Sequence, residues 1–440
     1  MQDHFHKTIN GYKTLGVLAA LLITGACNHS APPPAQPAPP PERAARSFDA
    51  AGLDQMLAGV VADGTHVGVS ALVFDEGEVV YRGAAGFADR ERGVPMAQDT
   101  VVRIYSMTKT VTSAIAMDLV EDGLLGLDDP VTDFVPSLGR MQVLSVGEDG
   151  AVTLSPQQAP MTIKDLLLHR AGMGYGIFGP INPVEELYSA ANLFDPAETG
   201  AEKMERLSTL PLVAQPGTGW YYSVATDVLG HVIETVTGQR LGAVMANRLF
   251  EPCGMNETGF HVRDDQRARF ASTYFLNEDG SITLAEDGQA SPFLTDNAYQ
   301  SGGGGLVSTL DDYGIFAGML LNGGLCGNIR VLETATVEAM LSNQMDPDDV
   351  YLFPWLGGDT NNGFGYGGAV VIAETPEQIA FNGQALGHYG WNGAARTTYW
   401  VDRRNGAVAI LFLQYFGGED PVLFRDFRKF VLEQTKNEPQ

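Results

Sequence analysis

Apolar residues recur along this chain in two rhythms. Helical spacing runs from Leu53 to Val61, and two strand-like runs follow, roughly Val67–Phe74 and Glu78–Gly83, joined by an acidic glycine turn at Asp75–Gly77. Strict alternation is imperfect in these runs, so helices are expected to cover a face of each strand. A second helix is expected from Ser106 to Glu121, where Gly123 ends it. Thr162 caps another that begins near Ile163, and helical spacing returns over Ser223–Val236 and Leu241–Leu249. Residues 141–160 and 173–215 are looser and are expected to line a cleft. Ser308 and Thr309 then cap a helix over Leu310–Leu321. Thr397–Asp402 and Ala407–Gln414 read as strands, and Arg425–Glu433 as a closing helix. Strands therefore occupy both ends and helices the middle. The expected fold is α/β (α+β): one antiparallel sheet built from both termini, flanked by helices, with a mainly helical region inserted at about residues 120–290.

The amino end follows different rules. Lys7 and Lys13 precede the apolar run LGVLAALLITGAC, which ends at Cys27 and is too short to span a membrane comfortably. A basic flank, a short apolar segment and small residues describe an export signal over residues 1–26. Thr24-Gly25-Ala26-Cys27 resembles a bacterial lipoprotein cleavage box, with Thr24 in place of the usual leucine. That resemblance implies a lipid on Cys27, as the only route of membrane contact, and a location in the cell envelope or periplasm. The proline-rich stretch NHSAPPPAQPAPPPERAA cannot pack, so residues 27–45 read as anchor and extended tether. Folding is expected from about residue 46 to 440.

Composition narrows the function. With 440 residues and 44% hydrophobic content the chain can bury a large core. A net charge of -26, without a basic stripe, argues against nucleic-acid partners. Cys253 and Cys326 either pair in an oxidising compartment or stay two separate buried thiols. Gly302–Gly305 reads as a tight turn, because no GKS or GKT follows it. The histidines include no H-E-x-x-H pair, and His169 near a helix end reads as packing. The acidic run at 346–349 reads as solvated surface.

Ser106 and Lys109 carry the first chemical signal. On a helix, positions three apart share a face, so the hydroxyl and the amine can meet. A serine becomes a nucleophile when a base takes its proton, and a lysine serves as that base when burial disfavours its charge. Free N–H groups at a helix start favour the developing alkoxide.

The blocks VVRIYSMTKTVTSAIAMDLVEDGLLGLDDPV, TIKDLLLHRAGM, PGTGWYYSVATDVLGHVIETVTGQ, SGGGGLVSTLDDYGIFAGMLLNGG and GWNGAARTTYWVD, in this order, resemble the beta-lactamase-like serine hydrolases. That family includes penicillin-binding proteins, class C beta-lactamases and serine carboxylesterases. The resemblance implies a beta-lactamase/transpeptidase-like fold and a serine–lysine pair at Ser106 and Lys109. It also implies a proton-moving tyrosine at Tyr222, in Tyr222-Ser223-Val224. For the third motif, which usually carries a lysine, two stretches compete. One begins at His388 and the other at Trp391, the latter continuing through Asn392 and Gly393; the reading leans to Trp391. Arg396 stands where a small residue, commonly glycine, is expected. Val224 replaces an asparagine that contacts substrate in beta-lactamases, and no third-motif lysine is present. Both departures favour small-molecule esters over beta-lactams. The implied reaction is ester hydrolysis through an acyl-enzyme on Ser106, with the oxyanion held by backbone N–H groups of Ser106 and of the stretch near Asn392 or Gly393. It needs no metal or organic cofactor. Hydrolysis of beta-lactams or D-amino-acid peptides is the alternative within enzymes; an envelope binding or sensor protein that keeps the fold is the alternative outside them.

Overall fold

The computed structural model describes residues 47–179, 181–346, 361–376, 379, 383–418 and 422–437. The export signal, Cys27, the tether and positions 347–349 of the acidic run lie outside the described residues.

Eight antiparallel strands form the main sheet. They are β1 (Gly68–Asp75), β2 (Glu78–Asp89), β3 (Val94–Pro95), β4 (Asn362–Gly365), β5 (Gly368–Val371), β6 (Tyr389–Gly393), β7 (Thr397–Asp402) and β8 (Ala407–Phe412). Their spatial order is β4-β5-β6-β7-β8-β1-β2-β3. The two ends of the chain thus meet in mid-sheet, with Ser70 opposite Phe412 and Asp75 opposite Ala407.

Helices cover both faces of β1 and β8, which is why these strands do not alternate cleanly. Val69, Ala71, Val73, Ala409 and Leu411 join one core with Leu53 and Leu57 of the Ala50–Ala62 helix and Leu423 and Phe427 of the Val422–Thr435 helix. Leu72, Val408, Ile410 and Phe412 join a larger core with the Thr108–Glu121 and Leu310–Leu321 helices. Each of the Val, Leu, Ile and Phe side chains among them contributes about 1.5–3 kcal/mol when fully buried. Among the described residues no helix is long and apolar enough to cross a membrane.

Helices dominate the region between β3 and β4, but two details differ from expectation. Residues 141–160 contain a hairpin, Gln142–Val146 against Val152–Pro156, with Val146 opposite Val152. The helix expected to end at Leu249 passes through a π-helical turn, Ala246–Phe250, and continues to Cys253. Pro252 has no N–H to reach back four residues, and the ladder widens just before it: the Glu251 N–H bonds the Ala246 carbonyl, five residues back. Cys253 then bridges to Cys326, with Cα atoms 5.3 Å apart across 73 residues of chain. The two-thiol alternative is not what the structure shows.

Arg396 closes the β6–β7 turn with φ +60°, a conformation that favours glycine. That explains why a small residue is expected there. The arginine is held in it by its guanidinium, which donates to the Gly417 and Gly418 carbonyls at 3.2 and 2.8 Å.

Candidate active site

The nucleophile candidate sits on a bend. After the short pairing of Val102–Arg103 with Val307–Ser308, the chain enters a tight turn, Tyr105–Met107, before the Thr108–Glu121 helix begins. Tyr105 has φ +41°, a strained conformation for a bulky residue. Its ring is held edge-on by Phe293 and Phe416, at 6.0 and 5.7 Å between centroids. The bend leaves Ser106 partly exposed at the head of the helix, one turn before Lys109.

Lys109 is buried, 1% exposed. Its Nζ lies 3.3 Å from Ser106 Oγ, 2.9 Å from the Tyr175 hydroxyl and 2.6 Å from the Gly303 carbonyl. Three partners match either protonation state. An ammonium donates to all three; a neutral amine donates to Tyr175 and Gly303 and turns its lone pair to the Ser106 hydroxyl. Burial works against the charge. The Tyr175 and Tyr222 hydroxyls, together with the Asp227 carboxylate, outweigh it and hold the Lys109 pKa above its ordinary value. Burial also pushes the Tyr175 phenol up. At neutral pH Tyr175 is therefore not an anion, its share of that upward pull is absent, and the desolvation of Lys109 counts for more.

Tyr222 follows a buried aromatic stack. Its ring lies parallel to Trp220, 6.0 Å between centroids at 12°, and the Lys109 nitrogen stands 4.8 Å from its ring centre. The indole N–H of Trp391 donates to its hydroxyl at 3.1 Å. His169, at φ +54°, closes the cluster from behind. Its carbonyl accepts from the Tyr221 N–H at 2.8 Å, its Nδ1 lies 3.3 Å from Ser223 Oγ, and its ring is 4.8 Å from that of Tyr222. Burial, then the nearby Lys109, holds His169 well below its ordinary pKa. A neutral imidazole here orients the Tyr222 loop.

β6 forms the other wall. A side chain on Gly393 would come within 2.4 Å of the Ile104 carbonyl, so only glycine lets the strand run this close to the Ser106 turn. Asn392 is exposed, and its side-chain oxygen accepts from Thr398 Oγ1 at 2.6 Å. Trp391 reaches the Tyr222 hydroxyl. His388 does not: it is buried on the opposite side of the sheet, 3.1 Å from Asp402 and stacked on Trp400. His388 stands just before β6, an odd number of residues from Trp391, so the two side chains leave the sheet on opposite faces.

The structure also brings in residues that carried no signal of their own. Tyr175 and Gly303 both bind Lys109, yet neither has an informative spacing to Ser106. The expected cleft segment supplies Phe178 and Phe194, whose rings lie 5.5 and 5.8 Å from that of Tyr175. The same segment leaves Ile177, Ile181 and Leu187 exposed.

A helix bearing a serine–lysine pair, docked on an antiparallel sheet with a helical insertion, is the architecture of the beta-lactamase and transpeptidase class of serine hydrolases. The agreement extends along the sequence: residues 53–432 match the family described as Beta-lactamase, and the chain belongs to it. Protein Rv1367c of Mycobacterium tuberculosis is 34% identical over 351 residues, covering 79% of this chain and 86% of that protein. Esterase EstB of Burkholderia gladioli is 30% identical over 378 residues, covering 82% and 89%. Among solved structures, EstCE1, a hydrolase with promiscuous acyltransferase activity, superposes with a TM-score of 0.71 at 28% identity, covering 86% of this chain and 97% of that one. The chain is an enzyme, a serine hydrolase of the esterase and acyltransferase branch of this family.

Proposed function

We propose that this protein hydrolyses carboxylic esters of small molecules through an acyl-enzyme on Ser106. The observation that carries the assignment of roles is the buried Lys109 amine at 3.3 Å from the Ser106 hydroxyl. In its neutral form Lys109, assisted by Tyr222, takes the hydroxyl proton as Ser106 attacks the ester carbonyl. The N–H groups of Ser106 and of β6, at Asn392 or Gly393, stabilise the oxyanion. The alcohol leaves with a proton returned through Tyr222 or Lys109, and the same pair activates the water that releases the acid. Trp391 holds the Tyr222 hydroxyl in place.

Substrate preference follows from what the walls lack. Val224 is buried and offers only methyl groups, and β6 presents an indole where a cation would bind a beta-lactam carboxylate. The exposed apolar side chains of Ile177, Ile181 and Leu187 suit an apolar acyl or alcohol group. Short p-nitrophenyl esters are therefore expected to turn over at least ~10²-fold more efficiently than a chromogenic cephalosporin. The acyl group should be recovered on the peptide containing Ser106. Preferential cephalosporin turnover would refute the ester assignment.

We also infer that residues 1–26 direct export and that Cys27 is lipidated. The Cys253–Cys326 bridge supports an oxidising compartment. A full-length Cys27→Ala chain is expected to leave the membrane fraction; retention there would exclude the lipid anchor.

A further inference from the structure

Behind the glycine turn that carries Gly303 lie two more buried charged side chains. Asp227, in the first turn of the Ala225–Thr237 helix, is 3% exposed, and Lys203, on the Gly200–Leu207 helix, is 2% exposed. One carboxylate oxygen of Asp227 accepts from Tyr299 at 2.7 Å, from Ser301 at 2.5 Å and from the Gly303 N–H at 3.3 Å. The carbonyl of that same Gly303 holds Lys109. Gly303 also permits the approach, because a side chain there would sit 2.3 Å from the second Asp227 oxygen. Lys203 stands over the Tyr299 ring, 3.4 Å from its centre. Lys203 and Asp227 both line one cavity, together with Leu193, Phe194 and Val224, and Lys203 Nζ and the second oxygen of Asp227 are both buried. Among the described residues neither atom has a hydrogen-bond partner.

We propose that Asp227 and Lys203 are positioning residues that hold the Ser301–Gly303 turn against Lys109 and bias its proton occupancy in opposite directions. This rests on Lys109 being the proton acceptor of Ser106. A buried, half-satisfied carboxylate is a costly feature to retain for shape alone. Its field acts on Lys109 through a few ångströms of low-dielectric interior and favours the ammonium. Lys203 opposes that field from the far side. Burial depresses Lys203 to about 8, against the pull of Asp227 and Asp195, so its charge is present below that pH and fades above it. Tyr175 and Tyr222 also face Lys109, His169 lies beside it, and Glu234 faces Tyr299. None of them moves in the variants below.

The test is the pH dependence of Ser106 phosphonylation by a p-nitrophenyl alkylphosphonate. Ser106 Oγ forms a bond to phosphorus, p-nitrophenolate leaves, and Lys109 keeps the serine proton. The rate rises with pH as Lys109 loses its own proton. Asp227→Asn removes a negative charge and is expected to lower the midpoint by roughly one unit. Lys203→Met removes, at nearly constant volume, a positive charge that is present only below about pH 8, so its rate is expected to fall below wild type there and to rejoin the wild-type curve above. A merely structural role would change the rate by the same factor at every pH. An unmoved Asp227→Asn midpoint overturns the proposal, as does a ratio of Lys203→Met to wild-type rates that does not change across about pH 8. If Asp227→Asn does not fold, that ratio decides alone. Absence of any adduct on Ser106 overturns the serine–lysine assignment as well, whereas an adduct with unmoved pH profiles overturns only this proposal.

Discussion

Ser106→Ala is expected to lower kcat for ester hydrolysis by roughly 10⁴ to 10⁶ and Lys109→Met by roughly 10² to 10⁴, and the double variant by no more than the worse of the two. The reason is that the pair acts as a unit. Without the hydroxyl there is no acyl-enzyme, and without the amine the hydroxyl keeps its proton at neutral pH. KM should change by less than about threefold, because the β6 wall remains. Methionine fills nearly the volume of lysine, but it leaves the Tyr175 hydroxyl and the Gly303 carbonyl without their donor. One buried acceptor left unpaired costs about 1–3 kcal/mol. Thermal melts of both variants therefore accompany the kinetics: a folded Lys109→Met protein without activity supports the base role. A Lys109→Met enzyme with more than about a tenth of wild-type kcat would refute it, since general-base catalysis is worth about 10²–10⁴.

Opening the Cys253–Cys326 bridge is expected to cost about 2–4 kcal/mol of stability. The bridge spans 73 residues, and a loop of that length loses considerable entropy when it is closed in the unfolded chain. It fastens the end of the helical run 241–253 to the Leu325–Cys326 strand, which follows the Leu310–Leu321 helix closely. Both attachments lie away from Lys109, so activity at 25 °C should persist in the Cys253→Ser/Cys326→Ser protein. Urea unfolding with and without reductant measures the effect. Wild type in reductant should match the double serine variant, and coincident curves with and without reductant would show that the bridge does not form in solution.

The sequence conveyed the parts of this molecule that follow local rules. The helix after Ser106 begins within two residues of expectation because a run of apolar positions and Gly123 define it. The strands at both ends were visible for the same reason. What it did not convey depends on distant partners. The Gln142–Val146 hairpin is exposed on most positions, so burial left no alternating signature. The π-helical turn depends on one proline inside an otherwise helical run. Tyr175 reaches Lys109 from 66 residues away through a loop without a repeat. The sequence leans to Trp391 over His388 without deciding, and only the position of each against the sheet shows which one faces Tyr222. The cysteine pair was undecided because connectivity is a matter of space rather than spacing.

The meeting of β1 and β8 has a temporal consequence. Ser70 has no partner on that edge until Phe412 has been made, and the wall beside Ser106 is supplied by β6, near residue 393. A ribosome has therefore completed nearly the whole chain before Ser106, Lys109 and their facing strand can assemble. Contacts this distant in sequence form slowly, and until they do the emerging polypeptide keeps strand edges unpaired. A chain still extended at that stage is also in the state that can be threaded through a narrow translocation pore.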